Sequence, residues 1–588
     1  MSPAMAFGDL LEKVGSAGPF QLFCVLLLTA PALLIASHNL VQNFSAASPE
    51  HQCRPPPPGT NASWGGNTTI AHGRISLAPH LERCWRVAST LEQRQGANSS
   101  LGRAGEQEPC QHGWYYDLSI FSSTIVTEWD LVCELGPLPE LAQVLFMSGV
   151  LLGAFLFGII SDRFGRRVVL LCSLLLVGVM GTGAAFASNF FTYCAFRLLS
   201  GVGLSGFLLT YLCLSLEWVP TKSRALVVTW LSYCSTAGQV VLAGLAYGIR
   251  DWRQLQLAIS APFFIFFLCT WWIPESARWL IVSHRPAMAL SNLQRVARIN
   301  RKQLGRGSLS LEMLESVGGS PPGKGTPSCL GLFRTPAMRR ITCCLMSVSF
   351  STNLAYYGLS MDLPAFGLDI FLVQTIFGAI DILAKMACAL ALSYFGRRTI
   401  QASSLILAGI FLLGNIPVPR EMLMVRLALV VLGKGCLAAS SVCSYLYRGE
   451  LFPTAVRQTG TGLTTVMARL SGMMAPVVLV AGQRFPFLPL AIFGVAPVVS
   501  GIAACFLPEM RNIPLLDSVE EVEDRCDASH CPLSLFPFPA NPSPPAPASS
   551  SFLPSSAPEP GGKARKCLLG RPRLTSSTQP GYEQPSGP

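Results

Sequence analysis

The chain has 588 residues, of which 50% are hydrophobic and only 13% are charged. Soluble domains are charged at about a quarter of their positions, so this composition excludes a mostly soluble protein and indicates helices that cross a membrane. The formal net charge of +11 comes from short basic clusters at the ends of apolar segments. Such clusters argue against a nucleic-acid-binding surface and favour a lipid bilayer as the partner.

Apolar segments recur along the chain at the length needed to cross a bilayer, which is about 20 residues in helical form. We predict twelve membrane-spanning helices and an all-α membrane protein, with six helices before a long hydrophilic stretch and six after it. The predicted segments are roughly 20–40, 139–160, 168–188, 191–213, 225–247, 254–274, 339–361, 369–392, 399–417, 422–447, 457–481 and 486–507.

The charges of the two long hydrophilic stretches predict the orientation of the chain. Residues 275–340 hold 11 Lys/Arg and 3 Glu, whereas residues 41–138 hold 6 Arg and 9 Asp/Glu. Because basic loops stay on the cytoplasmic side, we predict that both termini are cytoplasmic and that the first loop is extracellular.

These spans and loops divide the chain into five predicted regions. The tail is rich in Pro, Ser and Ala from Cys531 onward, and it lacks the apolar periodicity that a folded segment needs. The regions are a cytoplasmic N-terminus (1–19), an N-terminal six-helix bundle (20–274) that includes a glycosylated extracellular loop (41–138), a cytoplasmic loop (275–338), a C-terminal six-helix bundle (339–507) and a disordered cytoplasmic tail (508–588).

The predicted extracellular loop carries two features that are typical of an oxidising compartment. Asn43, Asn61, Asn67 and Asn98 each begin an Asn-x-Ser/Thr acceptor for N-linked glycans. The same loop holds four cysteines, an even number that predicts two disulfides in one of three pairings. These cysteines are Cys53, Cys84, Cys110 and Cys133.

Three motifs occur twice at a nearly constant offset. Gly-Arg-Arg begins at Gly165 and Gly396, Glu-x-x-Pro-Thr begins at Glu217 and Glu450, and Pro-Glu begins at Pro274 and Pro508. The offsets are 396 − 165 = 231, 450 − 217 = 233 and 508 − 274 = 234. Two parallel copies of one membrane unit are a recurring plan of secondary transporters, so the repeat predicts a transporter.

The first Gly-Arg-Arg motif lies in the loop from Gly158 to Arg167, which resembles the signature loop of the major facilitator superfamily. An ordinary basic stop-transfer turn is the alternative interpretation. In the second copy, Ser393 and Tyr394 replace the Asp-Arg pair, so we expect only the first copy to be complete. We predict a gating role, in which charged residues at cytoplasmic helix ends pair across the two halves, for Gly158, Asp162, Arg163, Gly165, Arg166, Arg167, Arg197, Glu217, Arg224, Glu275, Arg278, Arg397, Arg398, Glu450 and Arg457.

A finer resemblance covers about residues 4–520. The chain is similar to the organic anion transporter branch of solute carrier family 22 in the strings Met5–Leu11, Asn43–Ala47, Ser123–Cys133, Ala355–Gly358, Gly433–Cys436 and Glu450–Gly460. The resemblance implies a carrier in the plasma membrane that takes up organic anions by alternating access, plausibly as an antiporter that exchanges them for an intracellular dicarboxylate. Steroid sulfates, urate, dicarboxylates and short-chain acids are the candidate substrates.

Charged residues inside membrane helices are costly, and each one is therefore a candidate for the transport site. Arg469 lies about 18 Å, or 12 residues, into the eleventh predicted helix, near the middle of the membrane. Asp381 and Lys385 share one face of the eighth helix because they are four residues apart. We predict that Arg469 binds the anion, with a backbone carbonyl or Asp381 as the alternative partner. Lys385 is predicted either to contact the substrate or to pair with Asp381, and the resemblance implies anion recognition at both basic positions.

Further residues are predicted to line the same cavity. Tyr356 and Tyr357 offer ring faces for flat amphipathic anions, although helix packing is an equal alternative. Serine occupies three positions where the family pattern has bulky aromatic residues, which implies a wider and more polar pocket. The predicted lining residues are Tyr356, Tyr357, Ser235, Ser349, Ser441 and Lys434, with Asp381, Lys385 and Arg469.

The sequence therefore predicts a transporter that is not an enzyme and needs neither a cofactor nor a metal. The first alternative is an organic cation or zwitterion carrier of the same family, which would need an unpaired acid, and Asp381 is the residue that could serve. The second alternative is a non-transporting receptor or scaffold that makes contacts through its C-terminal tail.

Overall fold

The computed structural model describes residues 11, 14–15, 18–54, 84–87, 107–110, 112–219, 221–302, 309–318, 332–363, 368–419, 421–453, 456–510, 519 and 522–523. Nine helices of this part of the chain are long and apolar enough to cross a membrane. Three more helices occupy the predicted seventh, ninth and twelfth spans. We number the twelve α1 Pro19–Leu40, α2 Leu138–Phe164, α3 Arg166–Ala185, α4 Phe190–Trp218, α5 Thr221–Gly248, α6 (in two segments, Trp252–Ser260 and Pro262–Thr270), α7 Pro336–Met361, α8 Ile370–Tyr394, α9 Arg397–Gly414, α10 Leu423–Leu451, α11 Arg457–Arg484 and α12 Leu488–Ala504.

The helices form two halves, each with its own apolar core. In the N-half (α1–α6) the core includes Leu28, Phe146 and Phe207, all fully buried. In the C-half (α7–α12) the corresponding core includes Leu345 and Phe377. The outward-facing side chains of these helices are apolar as well, as expected where lipid replaces water. The two halves contact each other through α2 with α11 and through α5 with α8.

One end of the helical bundle, here called the loop end, carries the segment between α1 and α2. Strand β1 (His51–Cys53) pairs with β4 (Trp114–Tyr116), and β2 (Trp85–Val87) pairs with β3 (Gln107–Pro109), both antiparallel. Disulfides join Cys53 to Cys110 and Cys84 to Cys133. The structure thus selects one of the three pairings that the sequence left open.

The string Ser123–Cys133 attaches this segment to the N-half. Thr124 caps the short helix Ile125–Glu128, because its hydroxyl accepts a hydrogen bond from the Thr127 N–H at 3.2 Å. The Glu128 carboxylate then accepts a hydrogen bond from the Trp252 indole at 2.8 Å and forms an ion pair with Arg253. The disulfide-bonded segment is therefore fastened to the loop end of α6.

The opposite end of the bundle, here called the basic end, carries Arg166, Arg167, Arg397 and Arg398. The predicted loop 275–338 is partly helical there, with helices Ala277–Val282, Pro286–Ile299 and Leu311–Gly318. Leu293 and Val296 of the middle helix are fully buried against the N-half core. This segment is therefore a packed extension of the N-half over part of its length.

Residues of the predicted tail also pack against the C-half. The Tyr447 hydroxyl donates to the Pro508 carbonyl oxygen at 2.5 Å, and the Glu523 carboxylate accepts from the Ala337 N–H at 3.0 Å. Glu523 thereby caps the start of α7. The prediction of a disordered tail from residue 508 is wrong for these residues, and most of the later tail lies outside the described residues.

Candidate substrate pathway and gates

A buried ion pair lies inside the C-half. Lys434 of α10 and Asp381 of α8 are both fully buried, with Nζ 3.8 Å from Oδ2. The Lys434 ammonium also donates to the Ser360 hydroxyl at 2.5 Å and lies 3.9 Å from the centre of the Tyr356 ring. The Tyr356 hydroxyl donates to the Asp381 carboxylate. Asp381 therefore pairs with Lys434 and not with Lys385, which was one of the two alternatives for Lys385, and Lys434 lies in the interior of the C-half.

Lys385 reaches across to the N-half instead. Its Nζ donates to the Ser232 hydroxyl at 3.2 Å and to the Thr236 hydroxyl at 2.6 Å, both on α5. Gln239, one turn further along the same face of α5, donates to the Tyr356 hydroxyl at 2.9 Å and to Asp381 at 3.4 Å. These contacts form a polar seam between α5 and α8. The sequence analysis missed the α5 residues, although their spacing along one face of an apolar helix was a visible signal.

Arg469 lies in the middle of α11. It is partly buried, and the structure describes no hydrogen bond or ion pair for its guanidinium within the described residues. The hydroxyl of Tyr211 on α4 lies within electrostatic range of it. The two alternative partners of Arg469, Asp381 and a backbone carbonyl, are therefore not among its contacts within the described residues.

The predicted aromatic and serine positions differ in where they face. Tyr357 packs against the cores of both halves and lies beside Gly472 of α11, between the halves. Ser235 is partly buried and within hydrogen-bonding reach of Tyr211, and Ser441 donates to the Ala438 carbonyl of its own helix at 2.7 Å. Ser349 is only 2% exposed. Ser349 therefore lines no accessible cavity in this conformation, and its effect on the width of the pocket stays a prediction.

At the basic end, the N-half contains a compact charged cluster. The Glu275 carboxylate accepts hydrogen bonds from the Arg166 N–H at 3.0 Å and the Arg167 N–H at 3.1 Å, and so caps the start of α3. Arg166 forms an ion pair with Glu217 at 3.8 Å. Burial raises the pKa of the Glu275 carboxyl, and the backbone N–H donors oppose that shift. Gly165 has a positive φ of 104°, and a Cβ there would lie 2.3 Å from the carboxylate, so this turn requires glycine.

The C-half repeats this cluster residue for residue. The Glu509 carboxylate accepts from the Arg397 N–H at 2.8 Å and the Arg398 N–H at 3.0 Å, and Arg397 forms an ion pair with Glu450 at 3.0 Å. A Cβ on Gly396 would lie 2.1 Å from Glu509. The cluster is therefore present in both copies. The prediction that the second copy lacks the Asp-Arg pair concerns a different contact and stays a prediction, because the Asp162 side chain lies outside the described residues. The Arg166–Glu217 and Arg397–Glu450 ion pairs each join residues of the same half, whereas pairing across the halves was expected.

The other residues predicted to act in gating lie in different surroundings. Arg278 is exposed, and Arg457 donates to the Phe452 carbonyl oxygen at 3.1 Å. The guanidinium of Arg163 lies over the neighbouring Phe164 ring, and Gly158 has open space where a Cβ would stand. The side chains of Asp162 and Arg224 lie outside the described residues.

Arg197 was predicted to lie at the cytoplasmic end of its helix, but it lies near the loop end. It is fully buried near the loop end of α4, where its guanidinium donates to the His38 carbonyl oxygen at 3.3 Å and to the Gln143 side chain at 3.1 Å. It also lies 4.1 Å from the centre of the Phe146 ring. Arg197 therefore stabilises the packing of α1, α2 and α4 and is remote from the charged cluster at the basic end.

The two halves are joined at the loop end. Phe371 of α8 stacks on Phe44 with ring centres 5.5 Å apart and also contacts Phe121 and Tyr247, each at 5.7 Å. Asn43 donates through Nδ2 to the Ser360 carbonyl oxygen at 2.6 Å. This aromatic cluster and hydrogen bond join the two halves at the loop end.

The position of Asn43 contradicts its predicted glycosylation. Asn43 is 8% exposed, and the atom that would carry the glycan is the one that donates to Ser360. Asn61, Asn67 and Asn98 lie outside the described residues, so glycosylation there stays a prediction.

We expect Asn43→Gln to leave the glycan content unchanged, because the amide is buried against α7. Gel mobility before and after glycosidase treatment measures this. Asn61→Gln is the matched comparison and is expected to increase mobility. A mobility increase in the Asn43 variant of the same size would show that Asn43 does carry a glycan.

Because the two halves contain matching charged clusters, we expect transport to be reduced equally by the loss of either cluster. We expect Glu509→Ala to reduce transport as strongly as Glu275→Ala, because each change removes two hydrogen bonds and a negative charge from a helix start, about 1–2 kcal/mol in all. Initial uptake rates normalised to surface protein measure this. Normal transport in the Glu509 variant beside a defective Glu275 variant would mean that the second copy is dispensable.

An all-α membrane protein built from two parallel six-helix halves, with matching charged clusters at one end, is a secondary transporter. Residues 119–515 match the family model of the Major Facilitator Superfamily. "Solute carrier family 22 member 6" of Danio rerio is 47% identical over 534 residues, covering 89% of this chain and 95% of that protein. "Solute carrier family 22 member 20" of Mus musculus is 45% identical over 526 residues, covering 89% and 94%. The chain belongs to solute carrier family 22 of the Major Facilitator Superfamily.

Solved structures support the same fold. The inward open conformation of the xylose transporter XylE from E. coli matches with a TM-score of 0.54 at 16% identity, over 86% of this chain and 99% of that one. The predicted fold class and the predicted membership in the organic anion transporter branch of solute carrier family 22 are confirmed. Because the family consists of transporters, the chain is a multi-pass membrane transporter and not an enzyme.

Proposed function

We propose that this transporter carries organic anions across the plasma membrane by alternating access, in exchange for an intracellular dicarboxylate. The observation that carries the proposal is Arg469, a guanidinium at the middle of α11 for which the described chain offers no counter-charge. A permanently charged group is costly inside a membrane unless a partner neutralises it. A ligand that brings the negative charge supplies that partner.

The charges around Arg469 also favour a negatively charged substrate. Lys385 donates only to hydroxyl groups of α5 among its described hydrogen bonds. Asp381 is fully buried and already bound to Lys434, Tyr356 and Gln239. The acid that a cation carrier would need is thus neutralised inside the protein, which favours an anion over the cation or zwitterion alternative.

The geometry also supports the proposed alternation. The halves are joined at the loop end around Phe371, whereas the described ion pair of each charged cluster at the basic end stays within one half. Halves that are bound to each other at one end can separate at the other. With the basic end and both termini in the cytoplasm, as the distribution of charge predicts, this conformation would exchange substrate with the cytoplasm.

Sided uptake into cells tests the proposal. Labelled estrone sulfate, urate, glutarate and a short-chain acid are compared with a labelled organic cation, in cells with and without the transporter. We expect saturable uptake of at least one anion, accelerated by glutarate loaded inside, and no saturable uptake of the cation. Saturable cation uptake without anion uptake would overturn the proposal.

The non-transporting alternative is tested by removing the chain after Cys531. A carrier whose site lies in the two halves should keep its flux. A receptor or scaffold that acts through the tail would show no flux in either form and would lose its output on truncation.

A further inference from the structure

A cavity of about 280 Å³ lies at the loop end of the C-half, between the connection from α9 to α10 and the connection from α11 to α12. Its polar side chains are those of Asn415, just after α9, and Arg426, near the start of α10. Its other walls are apolar and include Val418 and Leu490. All of the lining residues belong to the C-half, so the cavity is separate from the polar seam between α5 and α8.

The side-chain amide of Asn415 is buried and has an unused donor. Asn415 is 1% exposed, and its Oδ1 accepts a hydrogen bond from the Arg426 Nε at 3.4 Å. Because an arginine can only donate, this contact fixes the amide with its oxygen toward Arg426 and leaves Nδ2 to donate elsewhere. Nδ2 has no hydrogen-bond partner among the described residues. A buried donor without a partner is costly, and a ligand that brings an acceptor into the cavity would remove that cost.

The electrostatic surroundings of the cavity are positive. Arg426 is partly buried, and its described hydrogen bond to Asn415 leaves its charge uncompensated. Glu421, the acid that precedes α10, is exposed and forms no described ion pair with Arg426. Both α10 and α12 begin beside the cavity, and neither helix has an acid in its first turn or a side-chain cap. The positive ends of two helix dipoles therefore add to the charge of the guanidinium, and the cavity favours a negatively charged group.

The apolar surroundings indicate that this group belongs to a lipid. Ile416 and Phe487 line the cavity and are exposed, so its mouth is apolar. Met424 and Val425, which precede Arg426 on α10, are exposed as well, as expected of side chains that face lipid. Lipid headgroups lie at the ends of membrane helices, where this cavity opens. Its volume is below the about 300–1,000 Å³ of sites for drug-sized ligands, which fits a headgroup and excludes a whole lipid.

We propose that this cavity binds the phosphate of a phospholipid headgroup, with the Arg426 guanidinium and the Asn415 Nδ2 as donors and the apolar walls against the glycerol and the upper acyl chains. With the loop end outside, as the distribution of charge predicts, the lipid belongs to the outer leaflet. Anionic lipids are concentrated in the cytoplasmic leaflet, so the expected ligand is a zwitterionic lipid such as phosphatidylcholine. The inference does not depend on which solute the transporter carries.

Native mass spectrometry of the full-length transporter in detergent tests the site. Delipidated protein is titrated with palmitoyl-oleoyl-phosphatidylcholine, and the apparent Kd of the first bound lipid is measured. Arg426→Gln keeps a polar side chain but loses the charge, so we expect it to raise this Kd about tenfold. Arg484→Ala removes an exposed arginine at the end of α11, outside the cavity, and should leave the Kd unchanged. Melting temperatures verify that each variant is folded.

Asn415→Asp separates a lipid site from a structural role of the amide. The change keeps the oxygen that accepts from Arg426 and places a negative charge beside the guanidinium, so the melting temperature should not fall. It also removes the Nδ2 donor and repels a phosphate, so we expect the lipid Kd to rise at least about tenfold. Unchanged lipid binding in this variant would overturn the proposal, because the amide would then serve only to hold Arg426.

Two further ligands identify the source of the phosphate. Glycerophosphocholine has the same headgroup without acyl chains, and dioleoylglycerol has acyl chains without a phosphate. We expect both to bind the wild type more weakly than phosphatidylcholine does. Glycerophosphocholine that binds as tightly as the lipid would assign the cavity to a soluble phosphate ester and overturn the lipid site. Equal binding of dioleoylglycerol, or an unchanged lipid Kd in Arg426→Gln, would overturn the recognition of phosphate.

Discussion

Arg469→Ala is expected to abolish most saturable anion uptake without reducing the amount of folded transporter. Arg469 makes no described contact that holds the helices together, so its removal should not destabilise the fold. A charged hydrogen bond to the ligand is worth about 2 kcal/mol or more, which corresponds to a roughly thirtyfold lower uptake at low substrate concentration. Initial rates over a range of substrate concentrations, normalised to surface protein, measure the effect.

Two comparisons separate recognition from a general effect of charge. Arg469→Lys keeps the positive charge but loses the planar guanidinium, which can donate two parallel hydrogen bonds to one carboxylate. We therefore expect reduced uptake with a raised half-saturating substrate concentration. Arg484→Ala removes an arginine at the exposed end of the same helix and should leave uptake unchanged. An Arg469→Ala variant that carries anions with normal kinetics would show that the substrate is held elsewhere.

Much of the fold could be predicted because it depends on local sequence. The length of an apolar segment is set by bilayer thickness, so the first predicted span, 20–40, agrees with Pro19–Leu40 and the second, 139–160, with Leu138–Phe164. The repeat of Pro-Glu at Pro274 and Pro508 likewise indicated equivalent helix ends. The structure explains that repeat, because Glu275 caps the start of α3 and Glu509 caps the start of α9, each within its own half.

The partners of individual side chains could not be predicted in the same way. Asp381 and Lys385 do share a face of α8, as their spacing required. Which neighbouring helix faces each of them depends on tertiary packing: Asp381 meets Lys434 of α10, and Lys385 meets α5. Asn43 shows the same limit, because a glycan acceptor is a three-residue pattern, whereas its burial is imposed by a residue 317 positions away.

The charged cluster of the second half could not be predicted for a related reason. Ser393 and Tyr394 replace the Asp-Arg pair, and that local difference suggested an incomplete cluster. The described cluster depends instead on acids from distant segments, Glu450 at the end of α10 and Glu509 beyond α12. Those acids recur in both copies, so the cluster is retained although the local motif has diverged.

Lys434→Met is expected to prevent most of the protein from folding stably. The change would leave Asp381 as a buried carboxylate without its cation, which costs about 3–5 kcal/mol when one partner of a buried pair is removed. That cost is a large fraction of the stability of a typical domain. We therefore expect a smaller monodisperse peak in detergent and a lower melting temperature.

The double variant Lys434→Met/Asp381→Asn is the decisive comparison. Asparagine keeps an oxygen that can accept from Tyr356 and Gln239 and carries no charge, so replacing both partners should recover most of the lost stability. If Lys434 bound substrate directly, the single variant would instead fold normally and only raise the half-saturating substrate concentration. Recovery in the double variant would assign Lys434 to the stability of the C-half, because a substrate contact would not be restored by removing a buried acid.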